Sequence, residues 1–153
     1  MKTTYYYNSP IGTIKIVCDE EFLLEMNFVD KAFDNPKKYS KIISTCKEQL
    51  DEYFSGRLKK FTIAMKIEKG TAFQKTVWKA LKSIPYGETR SYKDIAIKIG
   101  NPRAVRAVGG ANNKNPIGIV IPCHRVIGSS GKLVGYAGGL DKKEMLLKIE
   151  EKK

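Results

Sequence analysis

The sequence predicts an α/β protein built from two lobes, a strand-rich first lobe over residues 1–70 and a mostly helical second lobe over residues 71–153. Residues 3–29 alternate polar and apolar side chains, apolar residues recur at helical spacing after residue 70, and Lys69-Gly70 interrupts the pattern between them. With 153 residues and 42% hydrophobic side chains, the chain is long enough to bury a core, so we expect it to fold unaided.

The first element is a predicted β-meander or hairpin over residues 3–29. Turn-forming residues at positions 8–10 separate two extended runs, and Ile14, Ile16 and Cys18 share one face of the second run. The meander should therefore bury one of its faces.

A helix and a short strand complete the predicted first lobe. Apolar side chains, Cys46 among them, recur at helical spacing over residues 41–54, and Gly56 is a suitable C-terminal stop. The run of residues 61–65 has the composition of a strand.

The second lobe opens with two predicted helices, each preceded by a capping motif. Thr71 and Gln74 have the spacing of a capping box ahead of an amphipathic stripe. Ser91 and Asp94 repeat that motif ahead of a shorter helix, which Gly100 ends.

A third helix is predicted over residues 103–112, with Pro102 at its first position. The tight Gly-Asn-Pro turn before it predicts a helix-turn-helix unit. Two arginines, Arg103 and Arg106, stand among small residues that would let this helix approach another surface closely, although small residues equally suit packing against neighbouring helices.

The charge distribution favours a polyanionic partner. The formal net charge is +12, and residues 71–115 carry nine lysine and arginine side chains against two acidic ones. A lysine-rich solubilising surface would also be basic. Because the excess coincides with the predicted helix-turn-helix, we favour DNA, bound mainly through phosphates because long polar side chains that read bases are few.

Cysteine usage and the N-terminus predict a cytoplasmic protein. Cys18, Cys46 and Cys123 show no paired spacing, which argues against a disulfide framework. The sequence has no apolar signal core and no stretch long enough to span a membrane, so we expect no membrane partner. With a single histidine, we also predict no zinc or other metal site.

That histidine, His124, directly follows Cys123 at the end of an apolar run over residues 117–121. The run predicts a buried strand that Pro122 ends, which would place Cys123 at a strand terminus. A neighbouring imidazole can activate a thiol, but the pair is also typical of ordinary packing. Consecutive side chains on an extended backbone point apart, so the two cooperate only if the chain turns or a water links them.

Five segments of the second lobe resemble the O6-alkylguanine-DNA alkyltransferase family, in the family's order and with its separations. They are Ser91-Tyr92, RAVGGA at 106–111, Asn115-Pro116, IPCHRV at 121–126 and GYAGGL at 135–140. The first lobe resembles the family's ribonuclease-H-like sheet in length and strand-helix pattern. The resemblance implies DNA repair without a cofactor, by one irreversible transfer of an alkyl group from O6 of guanine, and also from O4 of thymine, to the protein's own cysteine.

The resemblance further implies the partner and the residue roles. The partner is double-stranded DNA, entered from the minor groove by a monomeric protein that flips the damaged base out of the stack. Cys123 is the acceptor, linked through water to His124 and Glu150; Tyr92 protonates the departing guanine, and Asn115 braces the active-site turn. The implied DNA contacts are Arg106, which fills the vacated stack, and Arg103, Tyr92, Ala107, Gly109 and Arg125. The implied substrate pocket consists of Tyr136, Ala137, Gly138, Gly139 and Val126.

Several alternatives stay open at this point. Glu150 lies near the C-terminus and could be a frayed surface carboxylate, and Tyr92 could be ordinary packing. Ala137 departs from family members with a serine there, whose hydroxyl could bond the guanine oxygen; a backbone amide could replace it. Two rival functions are a protein that binds alkylguanine without repairing it, which would need no reactive cysteine, and a thiol hydrolase or acyltransferase, which leaves the basic helix pair unexplained.

Overall fold

The computed structural model describes residues 1–151, which divide into two compact units, Met1–Glu68 and the residues from Lys69 onward. The first unit contains a three-stranded antiparallel sheet in the order β1-β2-β3. Its strands are β1 (Thr3–Ser9), β2 (Gly12–Cys18) and β3 (Leu23–Val29). Of the two predicted arrangements, the structure has the meander, and the side chains of Ile14, Ile16 and Cys18 are fully buried on its inner face.

The helix α1 (Lys41–Phe54) covers the predicted range, with Cys46 fully buried on its inner face. Gly56 follows it at a φ of +82°, a conformation that favours glycine. The predicted strand over residues 61–65 is wrong. The segment forms one isolated parallel bridge, between Met65 and Leu23, in which Leu23 donates to the Ala64 carbonyl and accepts from the Lys66 amide.

The second unit is mostly helical. Both predicted capping boxes form: Thr71 accepts from the Gln74 amide at 3.0 Å and Ser91 from the Asp94 amide at 2.9 Å. The elements are α2 (Ala72–Leu81), β4 (Arg90–Ser91), α3 (Tyr92–Lys98), α4 (Val105–Asn113), a 3₁₀ turn (Cys123–Arg125), β5 (Val126–Ile127) and α5 (Leu140–Glu151). The two-residue strands β4 and β5 pair in parallel. No helix within residues 1–151 is long and apolar enough to cross a membrane.

The helices α3 and α4 confirm the predicted helix-turn-helix, but α4 begins later than expected. The prediction that Pro102 occupies the first helical position and that Arg103 is helical is wrong. The Ala104 amide donates to the Asn101 carbonyl at 3.0 Å, which closes a turn over both residues, and Ala104 itself lies outside helical geometry with φ −89° and ψ 27°. Arg103 therefore lies in the turn, whereas Arg106 lies in the first turn of α4.

Candidate active site

Cys123 lies on a tight turn. The prediction of a strand over residues 117–121 is wrong, although the run is buried as expected. Ile119 has a φ of +70°, and the Val120 amide donates to the Gly118 carbonyl at 2.8 Å, so the chain reverses in a γ-turn. A second γ-turn follows at Pro122, where the Cys123 amide donates to the Ile121 carbonyl at 2.8 Å.

Asn115 braces this turn with both ends of its side-chain amide. Its Nδ2 donates to the Ile121 carbonyl at 2.7 Å, and its Oδ1 accepts from the Ile117 amide at 3.0 Å. A β-branched residue at positive φ, such as Ile119, is strained by about 1–3 kcal/mol. The buried Asn115 amide is thus one of the groups that hold the strained conformation in place.

His124 continues the chain within the 3₁₀ turn, so the backbone does turn between it and Cys123. Its ring is fully buried, and Nε2 lies 2.6 Å from Oε2 of Glu150. Glu150 is 3% exposed, so the alternative of a frayed surface carboxylate is wrong. The other ring nitrogen of His124, Nδ1, is buried without a hydrogen-bond partner among the described residues, which leaves it free to bond a water molecule.

Arg125 is committed to the same carboxylate. Its Nε donates to Oε1 of Glu150 at 2.7 Å, its Nη2 to Oε2 at 3.1 Å, and its Nη1 to the Ile84 carbonyl at 2.7 Å. A guanidinium that is 7% exposed and bonded in this way cannot also reach a phosphate. We therefore assign Arg125 no DNA contact; it neutralises and orients Glu150.

The protonation states follow from burial and these contacts. Burial raises the pKa of the Cys123 thiol to about 11, against the opposing effects of the Asn115 hydrogen bond and the Lys143 charge. Burial lowers the pKa of His124 despite Glu150, so its imidazole is neutral at pH 7. Burial alone would raise the pKa of Glu150, but the hydrogen bonds and charges of His124 and Arg125 hold it well below its usual range. A thiol, a neutral imidazole and a carboxylate therefore lie together.

Lys143 is a buried residue of this site that sequence reasoning missed. Its side chain is fully buried, and Nζ donates to the Val134 carbonyl at 2.9 Å and to the Gly135 carbonyl at 3.2 Å. The buried face of α5 consists of Lys143, Leu146 and Glu150. Their i, i+3, i+7 spacing could have predicted that the lysine is buried, because Lys143 lies on the same helix face as Glu150.

Tyr92 shares a carbonyl with that lysine. Its hydroxyl donates to Val134 O at 2.8 Å, and its ring centroid lies 5.7 Å from Lys143 Nζ. Burial first, and then the negative charge that Cys123 carries when it is a thiolate, raise the pKa of both Tyr92 and Tyr136.

The segment that carries Tyr136, Ala137, Gly138 and Gly139 has no regular secondary structure. Gly139 has a φ of +103°, a backbone conformation that favours glycine. Tyr136 is half-buried and Ala137 exposed, while Val126 is fully buried on β5.

The outer face of α4 carries mostly small side chains and one arginine. Arg106 and Ala107 are exposed on it, and Arg103 is exposed in the preceding turn. Gly109 is half-buried and would place a Cβ 3.9 Å from the Tyr92 ring. On the inner face, Asn112, a further residue that sequence reasoning missed, donates from Nδ2 to the Cys123 carbonyl at 3.3 Å.

A helix-turn-helix with exposed arginines, in one unit with a buried cysteine, histidine and glutamate, is typical of a DNA-binding protein that uses a thiol as its nucleophile. The chain belongs to the 6-O-methylguanine DNA methyltransferase family. Residues 1–67 match the family's ribonuclease-like domain and residues 72–152 its DNA binding domain, which confirms the resemblance and the fold class predicted from the sequence.

Individual relatives are similar in sequence to this protein along nearly the whole chain. The methylated-DNA–protein-cysteine methyltransferase of Methanosarcina barkeri is 54% identical, over 95% of this chain and 97% of the relative. The protein of the same name from Mycolicibacterium paratuberculosis is 47% identical, over 95% of this chain and 90% of the relative.

Solved structures extend the agreement to the fold. The crystal structure of Mycobacterium tuberculosis O6-methylguanine methyltransferase matches with a TM-score of 0.89 at 43% identity, over 99% of this chain and 93% of that chain. The structure of Mycobacterium tuberculosis OGT in complex with DNA matches with a TM-score of 0.87 at 45% identity, over 95% of this chain and 91% of that chain.

Proposed function

We propose that this protein repairs DNA directly, as a methylated-DNA–protein-cysteine methyltransferase that moves an alkyl group from O6 of guanine to Cys123. The observation that carries the proposal is the buried contact of 2.6 Å between His124 and Glu150. His124 directly follows Cys123, which is the only cysteine of the second unit. The family match over both units and the structure of a relative in complex with DNA support it.

The transfer moves one proton away from the thiol and one onto guanine. As the sulfur–carbon bond forms, the carbon–O6 bond breaks and its electron pair passes to guanine, so a thiol and an alkylguanine become a thioether and guanine. With a pKa of about 11, Cys123 must first lose its proton. His124 accepts it at Nδ1 through one water, and Glu150 stabilises the imidazolium that results.

Tyr92 serves the leaving group. Guanine departs poorly as an anion, so a hydrogen bond or proton delivered to its ring lowers the barrier. Tyr92 has a hydroxyl at the site and a raised pKa that keeps it protonated at neutral pH. Asn115 holds the turn that presents the thiol.

DNA recognition is assigned to α4 and the turn before it. The exposed face with Ala107 and Gly109 suits close approach to the minor groove, Arg103 suits a phosphate, and Arg106 fills the stack after the damaged base flips out. The flipped base enters a pocket formed by Tyr136, Ala137, Gly138, Gly139 and Val126. A backbone amide near Ala137 takes the place of the serine hydroxyl found in some relatives.

The remaining parts of the proposal concern organisation. All the residues to which we assign a role lie in the segment 71–153, which is the catalytic and DNA-binding lobe, whereas residues 1–70 form a lobe without an assigned role. The protein acts once, because a thioether is not hydrolysed under mild conditions. We propose a monomer that works in the cytoplasm, where its three free thiols stay reduced.

Intact-mass measurement after incubation with a duplex containing O6-methylguanine tests this function. The proposal predicts a single added methyl group on the protein and unmodified guanine in the DNA. Binding without a change in mass would instead identify a recognition protein, and indifference to the DNA would identify another kind of thiol chemistry. An unmodified duplex of the same sequence is the control.

A further inference from the structure

One backbone carbonyl in the second unit accepts two side-chain donors. The Val134 oxygen receives the Tyr92 hydroxyl at 2.8 Å and the Lys143 ammonium at 2.9 Å. A carbonyl oxygen has two lone pairs, so both bonds can exist together. Loss of either donor still leaves the oxygen with one partner.

The arrangement matters because the Tyr92 hydroxyl has only one hydrogen to donate. While Tyr92 donates that hydrogen to Val134, it cannot donate it to a guanine ring nitrogen. To assist the departing base, the hydroxyl must release the carbonyl, and the loss of that hydrogen bond would oppose this release. The Lys143 ammonium removes that penalty because it stays on Val134 throughout.

We propose that Lys143 is a positioning residue that acts through Tyr92: it holds the Val134 carbonyl so that the Tyr92 hydroxyl can turn its hydrogen to the departing base. The inference rests on the proposed function, since it takes Tyr92 as the donor to guanine. It adds a residue outside the family motifs and assigns it a step, the release of the leaving group, distinct from thiol activation by His124.

The features of Lys143 fit this task. It is fully buried yet bonds two consecutive carbonyls, of Val134 and Gly135, which fixes the start of the segment that carries Tyr136. Its own amide donates to the Gly139 carbonyl at 3.2 Å, so both ends of that segment are tied to the first turn of α5. Burial lowers its pKa only to about 8, so the ammonium form predominates at pH 7.

The charge of Lys143 also acts on Cys123, whose pKa it lowers, and this effect must be separated from the effect on Tyr92. The separation is possible because the two effects concern different stages. A methyl donor with a leaving group that needs no proton, such as iodomethane, requires the thiolate but no hydrogen bond to the leaving group. O6-methylguanine requires both.

The experiment compares Lys143→Met, Tyr92→Phe and the double variant in single-turnover methylation of Cys123, measured by mass spectrometry. Each protein is given either an O6-methylguanine duplex or iodomethane. Lys148→Met, which removes an exposed lysine from the same helix, is the matched control. If the methionine variant is unstable, Lys143→Leu, which also lacks N–H donors, takes its place with the same expected results.

With the duplex, we expect Lys143→Met to slow transfer by about 10- to 100-fold when Tyr92 is present, and by less than about 3-fold in the Tyr92→Phe background. With iodomethane, the Lys143 variant should lose far less. Equal losses in both backgrounds, or equal losses with both methyl donors, would overturn the inference while leaving the proposed function intact. Failure of the unaltered protein to take up methyl from the duplex would instead overturn the proposed function.

Discussion

Replacing Glu150 by glutamine should separate the structural and catalytic parts of this site. The substitution keeps the shape of the side chain but removes the charge that pairs with His124 and Arg125. We expect two losses, one in the free energy of unfolding and one in the rate of methyl transfer, and the structure gives a magnitude for each.

The stability loss follows from the pKa of the carboxyl group. That pKa falls from 4.5 to about 2 in the folded protein, and at about 1.4 kcal/mol per unit the shift corresponds to about 3–4 kcal/mol. This agrees with the cost of about 3–5 kcal/mol for breaking a buried ion pair on one side. Because the folded pKa is the lower one, the contribution is complete above pH 4.5 and is lost as the pH falls toward 2. The difference between the two proteins should narrow over that interval.

The rate loss follows from the proton acceptor. Without the carboxylate at 2.6 Å, the buried imidazole becomes a weaker base and its cation is no longer stabilised. We expect transfer from O6-methylguanine DNA at pH 7 to slow by about 10- to 100-fold. The rate should recover as the pH rises toward about 11, the pKa of the Cys123 thiol, because hydroxide then removes the thiol proton directly.

Urea denaturation and rapid-quench single-turnover kinetics measure the two quantities. Glu144→Gln, at an exposed position of the same helix, is the matched control, and Glu150→Asp restores the charge. A Glu150→Gln protein that is destabilised yet transfers methyl at the unaltered rate across the pH range would refute the reasoning. Glu150 would then serve only to hold Arg125.

Three further predictions concern Arg106, Ile119 and the methylated form of Cys123. Arg106→Ala should weaken repair in duplex DNA far more than reaction with free O6-alkylguanine base, and equal losses would remove its role in filling the stack. Ile119→Gly and Ile121→Gly both remove a buried side chain, but only the first relieves a strained φ. Urea denaturation should therefore show a loss in the free energy of unfolding that is about 1–3 kcal/mol smaller for Ile119→Gly than for Ile121→Gly. Methylation of Cys123 adds volume to a packed site, so the alkylated protein should melt at a lower temperature than the free protein, and an equal melting temperature would contradict this.

Much of the fold could be predicted from the sequence because local signals and tertiary contacts agree there. The alternation over β1–β3, the apolar stripe of α1 and the two capping boxes each specify one conformation, and the structure has those elements. The start of α4 could not be placed because Pro102 suits a turn as well as a first helical position. Residues 61–65 have strand composition but meet β3 only where it begins.

The site was harder to predict, for a different reason. An apolar run such as residues 117–121 indicates burial, but burial does not distinguish a strand from a buried turn. The deciding hydrogen bonds come from Asn115, whose side chain replaces the strand partners that the run would otherwise need. Likewise, composition cannot show that Arg125 and Lys143 point inward, because basic side chains are usually exposed. Arg125 is held inside by Glu150, which is distant in sequence, and Lys143 by backbone carbonyls such as that of Val134.

The most direct test of the account is to locate the methyl group by peptide mapping after reaction with excess O6-methylguanine duplex. The account predicts one methyl group per chain, on Cys123, with repair that stops when every chain is modified and does not begin in Cys123→Ser. Repair of several lesions per chain, or a methyl group on Cys18 or Cys46 with Cys123 unmodified, would contradict it.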